Sequence, residues 1–216
     1  MDLGIVAGAF VLTYLVASWS GLPGPGSLSI LCALATASWR LSTAGSRWGD
    51  LGLRMPKSVA RALGWVVVLY VTTALLAALV VEPLAAAAGW PTMNLSRFAA
   101  LPGNAVLLAG YLALAWASAA LAEELVFRGF VLTRLEKLAG TGLTATVLAI
   151  AGQALLFGAA HWYLGLRGVA IAGAAGLIYG TVYACNGRNL VPLVVAHGLT
   201  DSLSLIAIYS GVAQIT

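Results

Sequence analysis

Long apolar runs, separated by short polar or glycine- and proline-containing segments, make up most of the chain. Runs of about 20 residues are long enough for an α-helix to cross the hydrocarbon core of a bilayer. Seven segments are predicted as spans: Leu3–Trp19, Ser27–Trp39, Ala62–Val81, Val106–Leu135, Leu143–Trp162, Val169–Tyr183 and Leu190–Tyr209. The second is short, and it spans only if part of Gly21–Gly26 also lies in the membrane. The pattern therefore predicts an all-α, polytopic membrane helix bundle of about seven transmembrane helices.

The composition excludes an ordinary soluble domain. Of the 216 residues, 61% are hydrophobic and 8% are charged, whereas soluble domains have about a quarter charged residues. Most of the surface of the protein is therefore expected to contact membrane lipid. The net charge is +4, but the protein has no soluble basic face that could hold nucleic acid. Nucleic acid is therefore not an expected partner. Without a repeat or linker, residues 1–216 are predicted to form a single transmembrane domain.

The basic residues instead indicate the orientation of the chain. If the spans alternate, segment 40–61, the turn after Lys137 and the turn at Arg188 lie on one side, and only Arg97 and Arg167 lie on the other. Cytoplasmic loops carry an excess of Lys and Arg. Loop 40–61 is therefore predicted to be cytoplasmic, and the brevity of the chain favours the bacterial cytoplasmic membrane as its location.

Three polar motifs interrupt the apolar spans. An ionisable group at the centre of a membrane helix costs about 2.5–3.5 kcal/mol, so its presence indicates a function. The motifs contain six such residues: Glu123, Glu124, Arg128, His161, His197 and Asp201.

The spacing of these residues gives them different predicted roles. Glu124 and Arg128 are four residues apart and share a helix face, which favours a buried ion pair that fixes packing. Glu123 then has no local partner, so it is the favoured reactive group. His197 and Asp201 also share a face and can hold one water molecule or one metal ion.

Counting residues from the turns gives each group a depth in the membrane. Glu123 and His161 come within about 6 Å of the same depth at 1.5 Å per helical residue. The same count places His197 about 18 Å nearer the basic side than His161. Convergence of all three residues therefore requires tilted or offset helices.

A carboxylate and an imidazole around one water molecule can remove its proton and direct hydroxide at a carbonyl. No Gly-x-Ser-x-Gly motif is present, so a serine nucleophile is not indicated. No cofactor is the favoured expectation. The alternative is Zn²⁺ held by His161, His197 and Asp201, because two histidines and a carboxylate can bind zinc with an open position.

The three motifs, Glu-Glu-x-x-x-Arg at 123–128, Phe-x-x-x-His at 157–161 and His-x-x-x-Asp at 197–201, resemble those of the CPBP family. This family of intramembrane proteases includes the CAAX prenyl proteases and the bacteriocin-processing and immunity proteins. The resemblance covers about residues 104–213, the predicted protease core. It implies an endopeptidase acting on a membrane-associated peptide or protein substrate, which in some relatives is membrane-anchored or prenylated.

The resemblance also implies roles for single residues. Glu123 and His161 would activate water, and His197 and Asp201 would hold it or stabilise the oxyanion. Many relatives have Asn in place of Asp201. Supporting roles would fall to three further residues: Glu124, Arg128 and Phe157.

Three alternatives stay open at this point. The same protease can be zinc-dependent, with the ligands named above. The polar network can instead specify packing in a non-enzymatic membrane scaffold or a bacteriocin-immunity-type protein. A proton- or ion-coupled carrier is the least favoured, because no inverted repeat is visible in the sequence.

Overall fold

The computed structural model describes residues 2–212, and it is built from helices joined by turns and loops. Its α-helices are α1 Asp2–Trp19, α2 Pro25–Thr43, α3 Val59–Leu76, α4 Glu82–Ala87, α5 Ala105–Leu114, α6 Thr133–Ala139, α7 Leu143–Ala160, α8 Gly165–Cys185 and α9 Val191–Tyr209. Two π-helical segments, Ala77–Val81 and Ala115–Leu132, connect α3 to α4 and α5 to α6. No strand occurs within residues 2–212, which confirms the predicted all-α fold.

Six helices are long and apolar enough to cross a membrane, and they indicate an integral membrane protein. They are Asp2–Trp19, Val59–Ala87, Ala105–Ala139, Leu143–Ala160, Trp162–Cys185 and Val191–Tyr209. The predicted span 27–39 corresponds to α2, which has 19 residues but is not among these six. The count is therefore close to the predicted seven.

The predicted polar segment 40–61 is shorter in the structure. Helix α2 continues to Thr43 and α3 begins at Val59, so the loop itself comprises residues 44–58, called the basic loop below. It lies against the turn between α8 and α9, where the Leu190 amide donates to the Gly52 carbonyl at 2.9 Å. The prediction that this loop and the turn at Arg188 lie at one end of the bundle is confirmed.

Gly52 allows this close approach. Its φ is +102°, and a Cβ atom there would lie 1.8 Å from the Arg188 carbonyl oxygen. Only glycine combines this backbone conformation with the absence of a side chain. At the same end, Arg188 Nη2 lies 2.7 Å from Glu136 Oε2, which joins this turn to α6.

The central element is the π-helical segment Ala115–Leu132, which packs against α2, α7 and α9. Helices α1 and α2 form a hairpin on one side, α7 and α8 form another, and α3 packs on α8 and α9. Two apolar clusters fill the spaces on either side of the central segment, one including Ile30 and Phe130 and the other Leu69 and Leu193.

The type of the central helix differs from the prediction. Val106–Leu135 was predicted as one α-helical span, and the structure has a continuous helix Ala105–Ala139 whose middle is π-helical. A π-helix bonds residue i to residue i+5, and such segments occur frequently at functional sites. Residues four apart still lie near one face, so the predicted pairing of Glu124 with Arg128 is preserved.

Candidate active site

Glu124 lies at the centre of the polar network. Its side chain is 0% exposed, and its Oε1 accepts hydrogen bonds from Arg128 Nη1 at 2.9 Å and from His197 Nδ1 at 2.8 Å. The predicted ion pair with Arg128 is therefore present. The bond to His197 was not predicted, because it joins residues 73 positions apart on different helices.

Arg128 is enclosed by aromatic rings as well as by its acidic partner. The Arg128 Cζ atom lies 4.2 Å from the centre of the Phe157 ring and 5.1 Å from that of Tyr179. A guanidinium interacts favourably with the face of an aromatic ring, and more strongly when it is desolvated. The rings of Phe157 and Tyr179 therefore help to hold the Arg128 guanidinium in place beside Glu124.

Glu123 points away from the ion pair, although it is the next residue along the chain. Its side chain is 17% exposed, and its Oε2 lies 4.0 Å from His197 Nε2. This oxygen is buried and has no hydrogen-bond partner among residues 2–212. Glu124 Oε2 also has no partner, but Glu124 Oε1 binds Arg128 and His197. Glu123 is thus the acid of the motif that no hydrogen bond engages among residues 2–212.

His161 is placed by the end of α7, just after the last helical residue Ala160. Its Nδ1 lies 2.8 Å from the carbonyl oxygen of Phe157. Because a carbonyl oxygen only accepts, Nδ1 carries the proton, and Nε2 is the atom with a free lone pair. This arrangement makes His161 Nε2 available as an acceptor or base.

The predicted depth of His197 is wrong. The Phe157 ring contacts both imidazoles, with centroid distances of 4.7 Å to His161 and 6.3 Å to His197, which is incompatible with an offset of 18 Å. The basic loop covers the start of α9, and Leu190 is fully buried beneath it. Helix α9 therefore begins inside the protein, and the residue count from its end underestimated the depth of His197.

Asp201 lies one turn after His197 on α9. Its Oδ2 is 3.7 Å from His197 Nε2, so this nitrogen faces Glu123 on one side and Asp201 on the other. The predicted sharing of a face by His197 and Asp201 is confirmed. The structure thus brings Glu123, Glu124 and Asp201 around a single imidazole.

Two tyrosines contact the site, and the sequence analysis did not identify them. Tyr179 packs edge-on against His197, with ring centroids 5.9 Å apart, and Tyr163 stacks on His161 at 5.9 Å and 30°. Tyr163 follows His161 by two residues, so its position beside the site could have been inferred. Tyr179 lies within an apolar helix and has no comparable signal.

An apolar cavity of about 560 Å³ lies near the site, although none of the polar residues of the site lines it. It lies between α1, the central π-helical segment and α7, and its lining includes Phe10, Tyr14, Phe127, Leu156 and Trp162. Phe127 also contacts Phe157, with ring centroids 5.0 Å apart, and Trp162 follows His161 directly. The cavity is therefore connected to the polar centre through Phe127 and Trp162, and it can hold an apolar group.

The residues of the site do not form a metal-binding group. Within residues 2–212, no three His, Cys, Asp or Glu side chains are arranged to hold a metal ion. The alternative zinc ligands, His161, His197 and Asp201, do not form such a group in the described residues, and the choice between a cofactor-free site and a zinc site stays a prediction. Each histidine also has its Nδ1 fixed on a protein acceptor.

These features define a polytopic helical membrane protein with a buried polar centre of acids and histidines beside an apolar cavity. A family model described as type II CAAX prenyl endopeptidase, Rce1-like, matches residues 104–203. The match confirms the predicted resemblance to the CPBP and CAAX proteases and supports intramembrane endopeptidase activity. Comparisons with curated proteins and with solved structures found no match.

Proposed function

We propose that this protein is an intramembrane endopeptidase that hydrolyses peptide bonds of membrane-associated substrates with a water molecule activated by Glu123 and His161. The observation that carries the proposal is the buried Oε2 of Glu123, which faces His197 Nε2 and has no hydrogen-bond partner among residues 2–212. Burying an unsatisfied carboxylate oxygen is costly. Such an oxygen suits a group that bonds to water and takes its proton during the reaction.

The reaction begins with water held between Glu123 and the Nε2 lone pair of His161. Glu123 takes a proton from the water, and the resulting hydroxide attacks the carbonyl carbon of the scissile peptide bond. When the tetrahedral intermediate collapses, the C–N bond breaks and Glu123 gives its proton to the leaving amine. The products are one new carboxyl group and one new amine, so no covalent intermediate with the enzyme is needed.

His197 and Asp201 act at the oxyanion. His197 Nδ1 is held on Glu124, so its Nε2 has a fixed direction toward the reacting atoms. A donor fixed in advance at the position of developing charge contributes to catalysis. Asp201, at 3.7 Å from Nε2, stabilises a proton there. Glu124 and Arg128 serve as positioning residues for His197.

The substrate class follows from the surroundings of the site. The 560 Å³ apolar cavity between α1 and α7 suits an apolar anchor, such as a membrane-embedded peptide segment or a prenyl group. The matching family model is described by prenyl endopeptidase activity, which favours a prenylated peptide as the first substrate to test. We place the protein in the bacterial cytoplasmic membrane with the basic loop in the cytoplasm.

The test is cleavage of membrane-anchored peptides, prenylated and unprenylated, by purified protein in detergent and in liposomes. Wild type is expected to cleave, and Glu123→Gln and His161→Ala are each expected to lower the rate at least 100-fold, because both groups act on the attacking water. Thr72→Ser is a control away from the site, since the hydrogen bonds of the Thr72 side chain among residues 2–212 stay within α3. The products, identified by mass spectrometry, give the bond that is cleaved.

Three results would decide between this proposal and the alternatives. Full activity of Glu123→Gln would contradict the proposed role of this carboxylate. Loss of activity on zinc chelation, with recovery when zinc is added, would favour the zinc-dependent alternative. A folded wild type that cleaves no peptide, combined with unfolding of Glu123→Gln, would favour the non-enzymatic scaffold.

A further inference from the structure

Helix α7 crosses the bundle from the basic loop to the opposite end, called the far end below. At its start, the Thr146 hydroxyl donates to Glu136, which is paired with Arg188 beside the basic loop. A helix of 18 residues is about 27 Å long at 1.5 Å per residue, close to the thickness of the hydrocarbon core. His161, which follows the last residue of α7, therefore lies at the far end.

The loop between α4 and α5 lies at the far end too, and it contacts the turn that follows α7. The Asn94 amide donates to the Leu164 carbonyl oxygen at 3.1 Å, and Arg97 Cζ lies 4.5 Å from the centre of the Tyr163 ring. Arg97 also interacts electrostatically with Asp201. Because Arg97 is exposed, the site lies within the reach of one side chain from this surface.

The exposure of the site residues increases toward the far end. On α9, the side chain of Asp201 is 31% exposed, whereas that of His197, one turn nearer to the basic loop, is 14% exposed. On the central helix, Glu123 is partly exposed, and Arg128, which lies nearer to the basic loop, is buried. Ionisable groups within a membrane protein face its interior or a water-filled cavity. Water therefore reaches these acids from the far end.

Toward the basic loop, the site is closed by packed apolar side chains. A Cβ atom at Gly129 would lie 3.3 Å from Leu190 Cδ1 and 3.5 Å from Trp48 Cζ3, so the basic loop and the start of α9 pack directly on the central segment. The fully buried side chains of this layer follow Arg128 on the central helix and precede His197 on α9: Phe130, Leu132, Leu190 and Leu193. Close packing of this kind excludes water.

The apolar cavity ends beside the site at the far end. Its lining follows α1 from Leu3, near the basic loop, to Tyr14 and Leu15. At the far end the ring of Trp162 also lines it and contacts the ring of Tyr14, with centroids 6.4 Å apart. An apolar anchor in this cavity would therefore place the polar segment that follows it next to His161.

We infer that the active site opens at the far end and receives its peptide from the extracytoplasmic side of the membrane. This inference rests on the proposed endopeptidase function and on a cytoplasmic position of the basic loop. It names a class of substrate, namely membrane-anchored peptides whose cleavable segment lies outside the cytoplasm. Translocation of that segment across the membrane must then precede its cleavage.

Labelling of single cysteines from each side of the membrane tests the opening without requiring cleavage. In a background without the two native cysteines, Ala44→Cys reports on the basic loop and Ala99→Cys on the loop between α4 and α5, both at exposed positions. Asp201→Cys reports on the site, and Tyr163→Cys replaces it if Asp201→Cys does not fold. A charged, membrane-impermeant thiol reagent is added to spheroplasts and to inside-out vesicles, with the cysteine-free protein as the blank.

Ala44→Cys is expected to react in inside-out vesicles, and Ala99→Cys is expected to react in spheroplasts. Asp201→Cys should follow Ala99→Cys and react at least about 10-fold faster in spheroplasts, because a thiol reacts as its thiolate, which forms where water reaches it. Faster reaction of the site cysteine in inside-out vesicles would overturn the inference. Reaction from neither side, or labelling of Ala99→Cys from the cytoplasmic side, would overturn it as well.

Cleavage is measured in the same two preparations. A cleavable membrane-anchored peptide is added to each, so that its polar segment stays on the outer face. Spheroplasts with wild type are expected to cleave it, whereas inside-out vesicles and spheroplasts with Glu123→Gln are not. Cleavage by inside-out vesicles alone would overturn the inference and leave the endopeptidase function standing. Labelling of Asp201→Cys from outside, in a protein that cleaves no peptide in either preparation, would refute the proposed function and leave the position of the opening standing.

Discussion

Replacing Glu124 by Gln removes a negative charge that accepts hydrogen bonds from two groups, the Arg128 guanidinium and the His197 imidazole. Its Oε1 accepts from Arg128 Nη1 at 2.9 Å and from His197 Nδ1 at 2.8 Å, and the side chains of the pair are 0% and 1% exposed. Removing one partner of a buried ion pair costs about 3–5 kcal/mol, because the other charge stays buried and unpaired. Since glutamine keeps a neutral acceptor oxygen, we expect a loss of about 3 kcal/mol in the free energy of unfolding.

The neighbouring residue provides a matched control of identical chemistry. Glu123→Gln makes the same atomic change, but Glu123 Oε2 accepts no hydrogen bond within residues 2–212. Neutralising a carboxylate that accepts no hydrogen bond removes a burial cost, and the interaction that it loses is a longer contact of 4.0 Å with His197 Nε2. We therefore expect Glu123→Gln to be at least as stable as wild type, while its peptidase activity is lost.

The assay is reversible unfolding of each purified variant in mixed micelles, followed by the fluorescence of the seven tryptophans. Adding Arg128→Met to Glu124→Gln removes the uncompensated cation and is expected to restore part of the lost stability. Equal stability losses in the two glutamine variants, or wild-type stability in Glu124→Gln, would refute the assignment of one acid to the scaffold and the other to the reaction.

Substitutions at two further positions, Asp201 and Gly52, test the site and the loop that covers its helix. Asp201→Asn is expected to keep much of the cleavage rate, because its amide oxygen can still accept from His197 Nε2 and its amide nitrogen can donate to the oxyanion, whereas Asp201→Ala should lower kcat about 100-fold. An Asn variant as slow as the Ala variant would contradict a role of residue 201 through hydrogen bonding. Gly52→Ala is expected to destabilise the protein by more than about 1 kcal/mol, because its Cβ would lie 1.8 Å from the Arg188 carbonyl oxygen. Hydrogen exchange of the Leu190 amide should then be faster, with Gly49→Ala, whose Cβ would meet nothing closer than 3.8 Å, as the control that stays slow.

The local features of the site could be predicted from the sequence. The pairing of Glu124 with Arg128 follows from their spacing, and so does the shared face of His197 and Asp201, because both pairs are set by helical geometry alone. The apolar runs likewise predict the helices, since a segment without charges has few alternatives to a buried or lipid-facing helix. Such features depend on residues within one element.

The convergence of the elements could not be predicted in the same way. The depth of His197 depends on where α9 begins, and that is determined by contacts of the distant basic loop with Leu190. The aromatic contacts of Tyr179 and the place of Arg97 beside Tyr163 also join residues far apart in sequence. In the sequence, Arg97 indicates only the orientation of the chain, because Tyr163, whose ring lies beside its guanidinium, is in a different segment.

Under the proposed function, the two adjacent glutamates explain how a membrane protein can keep a reactive acid in apolar surroundings. Consecutive residues of a helix point in different directions, so Glu124 reaches Arg128 and His197 in the core while Glu123 faces the opening of the site, at 17% side-chain exposure. One carboxylate neutralises the buried guanidinium and orients the imidazole. The other is then free of structural bonds, and its oxygen can exchange protons with water without loosening the fold. If Glu123 had taken the place beside Arg128, the same ion pair would have held the acid that the reaction requires.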